Sequence, residues 1–162
     1  MTAQRELEGV HVSEVVIQRD HGKVRIAGIP DRPGTMAAIF AQLADVVVDM
    51  IVQNGGHDGD ADVTITVPRA SLEPVGAALR ATVVGAAPPQ VELDADIAKL
   101  SLRGVGIRSH AGVAAAAFSA LAAAGVNVEM IATSETEVSV VVRAGEADRG
   151  AECLRRAFAL PG

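Results

Sequence analysis

The residues best suited to chemistry lie in a short turn, DRPG, at residues 31–34. Pro33 fixes φ and Gly34 tolerates backbone angles that other residues avoid, so the turn ends a strand and begins a helix. A helix N-terminus presents free backbone N–H groups and a partial positive charge, to which a carboxylate can bind. The carboxylate of Asp31 can in turn bind an ammonium or a hydroxyl group. The turn therefore offers one group for an anion and another for a cation or a hydroxyl group.

Several polar residues of the chain stand at positions that local structure alone can explain. Asp31 is favoured before Pro and Gly on local grounds. Gln53 and Asn54 fit the end of a strand equally well. Asn127 interrupts an apolar run, where a buried amide needs a partner, either a ligand or a bond across an interface. His110 is typical of a surface turn.

An acidic stretch, GGHDGDAD at residues 55–62, could suggest a metal site through His57, Asp58, Asp60 and Asp62. It lacks the terminal glutamate of a calcium loop, so we expect a solvated hairpin and no metal. The sequence contains no G-x-S-x-G, no H-E-x-x-H and no P-loop lysine. We therefore expect no catalytic residues and no cofactor.

The composition excludes several classes of function. A net charge of −6 and 2% aromatic residues disfavour nucleic-acid binding. The single cysteine, Cys153, excludes an internal disulfide and a multi-cysteine metal site, and we interpret it as a small apolar residue of the last helix. No signal peptide or apolar run of about 18 residues opens the chain. These features predict a cytoplasmic protein without a membrane segment.

An internal repeat organises the chain. Residues 28–54 recur in degraded form as residues 106–133, with a spacing of 78 that becomes 80 after the helix, so the first copy lacks two residues there. The linker GAAPPQ at residues 85–90 separates the copies. We predict a first domain over residues 10–86, with its N-terminal strand in this domain or in the second, and a second domain over residues 91–160.

Each copy predicts the order β, α, β, β, α. The first helix of each copy carries an apolar face at helical spacing: Met36, Ile39, Phe40 and Leu43 in one, Val113, Ala117, Phe118 and Leu121 in the other. A strand over residues 10–17 is left over and meets the turn RDHG at residues 19–22. Further strands are expected over residues 23–29, 46–52, 62–67, 97–102, 125–131 and 137–143. Helices are expected over residues 71–82, with Ser71 as N-cap, and 145–160, with Ala151, Leu154, Ala157 and Phe158 inward.

These elements predict an α+β fold of two ferredoxin-like βαββαβ modules with antiparallel sheets. Because unpaired sheet edges are usually covered, the leftover strand suggests that the modules share or exchange edge strands. The same reasoning makes pairing with a second chain an expectation.

Several segments of the sequence resemble those of a known protein family. The strings VDMIVQN and NVEMIATSE, together with IPDRPG, DADVTITV and KLSLRGVGIRSHAGV, resemble the paired ACT domains of aspartate kinases over nearly the whole chain. No kinase segment is present, so the chain resembles the regulatory β subunit of α2β2 aspartokinases. The resemblance implies feedback inhibition by threonine and/or lysine, a homodimer through the ACT modules, and a catalytic α subunit as partner.

The resemblance also implies an effector site between the first module of one chain and the second module of its partner. The matching positions are Asp31, Gly34, Met36, Gln53 and Asn54 on one side, and Asn127 and Val128 on the other. A second, symmetry-related site would use Ser109, His110 and Gly112. There Val47 stands where Asn127 stands in the first site, so we expect it to bind weakly or not at all.

Two other functions remain open from the sequence. A stand-alone ACT-type sensor would bind an amino acid without a kinase. A scaffold subunit would have lost ligand binding, which the bulk of Met36 would favour. The sequence does not indicate which amino acid is sensed.

Overall fold

The computed structural model describes residues 11–55, 58–107 and 112–161. In chain order the strands are β1 His11–Gln18, β2 His21–Pro30, β3 Ile51–Gly55, β4 Asp60–Pro68, β5 Gln90–Asp94, β6 Ile97–Val105, β7 Met130–Thr133 and β8 Glu137–Arg143. The helices are α1 Thr35–Ala41, α2 Leu72–Ala81, α3 Gly112–Ala123 and α4 Ala147–Ala157. The chain divides into two compact units.

One unit is the contiguous segment Asp20–Ala95. Its antiparallel sheet has the order β3-β4-β2-β5. Alternate residues of the central strands β2 and β4 face the helices, which places Val24, Ile26, Val63 and Ile65 in the core. The predicted inner face of α1 is confirmed, since Ile39 and Leu43 are buried and Met36 and Phe40 pack against this core.

The other unit combines β1 with the chain from Asp96 onward. Its antiparallel sheet has the order β1-β6-β8-β7. The inner face of α3 is also confirmed, because Val113, Ala117 and Leu121 are buried and Phe118 packs against the core. The leftover strand β1 thus completes a second βαββαβ set.

The fold is the predicted α+β architecture of two ferredoxin-like modules with antiparallel sheets. The turn expected at residues 19–22 does not close a hairpin, because β1 pairs with β6 and not with β2. The edge of β2 is occupied instead by β5, which the sequence did not distinguish from the linker. The first strand of each repeat thus lies in the sheet of the other repeat: β1 pairs with β6, and β5 pairs with β2. The exchange of edge strands expected from the leftover strand is therefore present.

Four local predictions were wrong in whole or in part. The strand predicted over residues 46–52 begins only at Ile51, since the Met50 N–H donates to the Thr66 hydroxyl (3.0 Å) in place of a ladder carbonyl. Ser71 occupies the N-cap of α2 without capping it, because a preceding 3-10 turn holds its backbone in the αR region. Ala157 is exposed at the last position of α4. The strand predicted over residues 125–131 likewise starts late, at Met130.

Arg103 on β6 joins three strands of its sheet. Its Nε lies 3.1 Å from Glu137 Oε2 on β8, and its Nη1 lies 3.5 Å from Glu14 Oε1 on β1. Ser139 also donates to Glu137, and the Ser101 and Ser139 hydroxyls lie 3.0 Å apart. Burial opposes ionisation of Glu137, but the hydrogen bonds from Ser101, Ser139 and Arg103 outweigh it and lower the pKa of this carboxyl.

A pH-dependent loss of stability follows from Glu137. Because its folded pKa lies below the ordinary 4.5, its stabilisation is complete above that value and is lost as the pH falls through the lower folded value. We expect Glu137→Gln to be less stable than the unmodified chain at neutral pH, with a difference that shrinks in acid. Urea unfolding of both chains across this range measures the difference. A gap that stays constant as the carboxyl titrates would contradict the assignment.

Candidate functional site

The DRPG turn is tied to the β3–β4 hairpin. Asp31 N–H donates to Gly59 O (2.8 Å), which fixes the turn against the start of β4. Within the turn, Arg32 N–H donates to Pro30 O (3.0 Å) and Thr35 N–H donates to Arg32 O (3.3 Å). Backbone bonds of this kind position the residues that precede α1 without help from their side chains.

Gly34 is the N-cap of α1 and has a left-handed backbone, with φ of 95°. A side chain at this position would be strained, although a Cβ there would meet no atom within 4 Å. No side chain caps the helix. The backbone at Gly34, just before the first turn of α1, is therefore open to a ligand, as a carboxylate site at a helix N-terminus requires.

The structure brings four of the predicted site residues to one end of the Asp20–Ala95 unit. Asp31 Oδ2 lies 3.5 Å from the place where a Cβ on Gly55 would stand, so the Asp31 carboxylate lies beside the end of β3. Gln53 and Asn54, on the same strand, are exposed, as are Asp31 and Gly34. Gln53 lies opposite Val63 and Asn54 opposite Asp62, so the two amides lie on opposite faces of the sheet.

The remaining predicted residues are placed differently. Met36 is half-buried and packs against the core of its own unit. Asn127 is exposed just before β7, so its amide needs no partner within the chain, and Val128 packs against the core of the other unit. Gly112 begins α3, with no atom within 4 Å of an added Cβ. Ser109 and His110 lie outside the described residues.

An open pocket of about 160 Å³ adjoins the turn, and sequence reasoning missed most of its lining. It lies between the start of α1 and the segment that follows α2. The lining residues are Arg32, Pro33, Gly34, Thr35, Ala38, Val83, Val84 and Gly85. Arg32 was available as a signal because it stands inside the DRPG turn, whereas Val83–Gly85 are brought there only by the tertiary structure.

Other chemistry finds little support in the described part of the chain. No group of three His, Cys, Asp or Glu side chains is placed to hold a metal ion there. Within the same ranges, every helix is too short or too polar to cross a membrane. Cys153 Sγ donates to Gly150 O (3.0 Å), and burial raises the pKa of its thiol, which fits a packing role.

Two βαββαβ units with antiparallel sheets, one of which has a glycine turn beside a pocket, place the chain in the class of ferredoxin-like α+β modules, to which ACT domains belong. The ACT domain family matches residues 100–158. An aspartate kinase from Pseudomonas fluorescens is 40% identical over 97% of this chain and 38% of its own length. The regulatory subunit of aspartate kinase from Thermus thermophilus is 36% identical, covers 91% of this chain and 98% of its own, and has a TM-score of 0.84.

A structure of aspartokinase alpha and beta subunits contains a chain that is 36% identical, with 93% of this chain and 100% of that chain covered and a TM-score of 0.84. The chain therefore belongs to the aspartate kinase family and corresponds to its regulatory, ACT-domain part. It spans 38% of the length of the first curated relative that it matches.

Proposed function

We propose that the chain is the regulatory subunit of an aspartate kinase, which binds threonine and/or lysine and mediates feedback inhibition of amino-acid biosynthesis. The observation that carries this proposal is the coverage of 98% of a solved regulatory subunit at 36% identity. We infer that the catalytic groups of the enzyme lie outside this chain. A catalytic α subunit supplies the kinase, by analogy with the similar structure of aspartokinase alpha and beta subunits.

The proposed effector site uses Asp31, Gly34 and Met36 from one copy, together with the end of β3 at Gln53 and Asn54. Because the two amide side chains lie on opposite faces of the sheet, only one of them faces the effector. The α-carboxylate of the effector binds the first turn of α1, where Gly34 leaves the backbone accessible. The Asp31 carboxylate binds the ammonium group. Met36 packs partly against the core, so its side chain is not committed wholly to the ligand.

The second half of the site comes from Asn127 and Val128 of a second copy in a homodimer. The exposure of Asn127 supports this proposal, because its amide is available to a ligand or to another chain. At the symmetry-related site, with Ser109, His110 and Gly112, the corresponding residue is Val47, which is 76% exposed and carries no hydrogen-bonding side-chain group. We therefore propose one functional effector site per module pair.

Inhibition follows from differential binding. An effector that bridges two chains stabilises one arrangement of the ACT interface, in which the catalytic subunits are less active. Effector and substrate are then coupled reciprocally by about 1 to 3 kcal/mol.

The association with a kinase is tested by affinity purification of the tagged chain from its source cells. A larger chain with aspartate kinase activity should copurify at a fixed ratio. If the chain binds an amino acid yet brings down no kinase, it is the stand-alone sensor.

Asp31→Ala should weaken binding of the effector while leaving the basal kinase activity of the complex intact. The exposed Asp31 side chain lies beside Gly55 and supports no described core contact, so its loss removes a ligand contact rather than the fold. A lost charge-assisted hydrogen bond of about 1.5 to 3 kcal/mol raises the effector concentration for half-inhibition by about 10- to 150-fold. Asp45→Ala, also exposed, is the matched control and should change neither quantity. Equal losses of inhibition and basal activity would contradict the assignment.

A further inference from the structure

The 78-residue spacing of the repeat extends to strands β1 and β5. Glu14 on β1 corresponds to Glu92 on β5, and Arg25 on β2 corresponds to Arg103 on β6. Each glutamate lies opposite the arginine of the other repeat, at 3.5 Å for Glu14 and Arg103 and 3.2 Å for Glu92 and Arg25. Each repeat therefore gives its first strand to the sheet of the other.

A hairpin within the first repeat would have satisfied the same ion pair. A two-residue loop at Arg19 and Asp20 would place Glu14 opposite Arg25, in the register that it now has with Arg103. The edge of β2 is taken instead by β5, where Lys23 Nζ lies 3.5 Å from Asp94 Oδ2. At the position of Asp94, β1 carries Val16, which lies opposite Ser101 on β6. The two first strands are thus matched to the exchanged positions.

The contacts of β1 described by the structure lie within one unit. Ser13 Oγ donates to Arg103 O (3.1 Å), and Arg155 Nη2 donates to Val15 O (3.2 Å). Just after the strand, Arg19 Nη2 lies 2.6 Å from Asp148 Oδ1. Val12 and Val15 complete the core of that unit. None of these contacts involves a residue of the other unit, Asp20–Ala95.

The link from β1 to β2 is the single short connection through Arg19 and Asp20. Asp20 already belongs to the next unit, where its carbonyl accepts from Arg69 N–H (2.7 Å). Without β1, the backbone of β6 near Leu100 and Leu102 would form an unpaired sheet edge. Such an edge needs a strand to pair with it. A β1 from another copy of the chain would make the same contacts, and only the conformation at residues 19 and 20 would differ.

We propose that the slot beside β6 also accepts β1 from a second copy, which gives a strand-swapped dimer. The occupant is the same segment, residues 11–18, of an identical chain. This dimer requires no effector and is distinct from the ACT-module dimer of the proposed function.

Two single-cysteine chains test the swap, both in a Cys153→Ala background. One carries Val16→Cys and the other carries Ser101→Cys, positions that face each other across β1 and β6. The two chains are unfolded together, refolded at high protein concentration without amino acids, and oxidised. A disulfide-linked heterodimer on a non-reducing gel is expected, and its amount should rise with protein concentration during refolding.

The controls make each outcome decisive. Both cysteines in one chain must give an intrachain disulfide, which shows that the pair can form; if they do not, Glu14→Cys with Arg103→Cys replaces them. In the negative control, Thr64→Cys replaces Ser101→Cys, because Thr64 lies on β4 opposite Arg25 of β2 and not opposite β1. A heterodimer yield no greater than with Thr64→Cys, at every concentration, would overturn the proposal and leave the regulatory function untouched.

Discussion

Leu100→Ala is expected to lower the free energy of unfolding by about 2 to 5 kcal/mol, because it leaves a cavity in a closely packed core. Leu100 is 1% exposed on the central strand β6. A Cβ added at Gly150 of α4 would stand 2.7 Å from Leu100 Cδ1, so this leucine fills the space that the glycine leaves open. Urea unfolding at neutral pH measures the loss.

The same contact predicts a specific rescue. Gly150→Ala alone overpacks the core by about 1 to 3 kcal/mol, offset in part by about 1 kcal/mol of helix propensity. In the Leu100→Ala chain the new methyl group enters the freed volume instead, so the double variant should be more stable than the sum of the single changes predicts.

Gly145→Ala is the matched control, since an added Cβ there meets no atom within 4 Å. It should not rescue Leu100→Ala. Additivity of Leu100→Ala and Gly150→Ala within about 0.5 kcal/mol would show that the two sites are not coupled.

The second large effect is stabilisation by the effector. Threonine or lysine at about one hundred times its dissociation constant should raise the free energy of unfolding by about 2.7 kcal/mol, because the ligand binds the folded chain alone. Methionine and isoleucine serve as comparison ligands in the same thermal-shift series. Asp31→Ala should reduce the stabilisation at the same ligand concentration to about 0.3 to 1.4 kcal/mol, as binding weakened by about 10- to 150-fold requires, whereas Asp45→Ala should preserve it.

The absence of any shift with all four amino acids would favour the ligand-free scaffold. Calorimetry then gives the stoichiometry for whichever ligand binds. One site per module pair is expected from the contrast between Asn127 and Val47, and two sites of comparable affinity in every chain would contradict it.

Much of the local architecture follows from the sequence alone. The repeat, the inner faces of α1 and α3, and the glycine turn at Gly34 are visible because helical spacing and glycine are local signals. The late starts of β3 and β7 were missed because β-branched runs report propensity and not ladder partners, as the Thr66 hydroxyl at Met50 N–H illustrates.

Only the tertiary structure decided which strands pair and which site residues meet. Glu14 can face Arg25 or Arg103 in the same register, so local pattern does not choose between a hairpin and exchange. The choice depends on contacts between residues far apart in sequence, including Lys23 with Asp94 and Arg19 with Asp148. The approach of Asp31 to Gly55 is decided in the same way, because both flank the start of β4 across the sheet, a relation that sequence spacing does not encode.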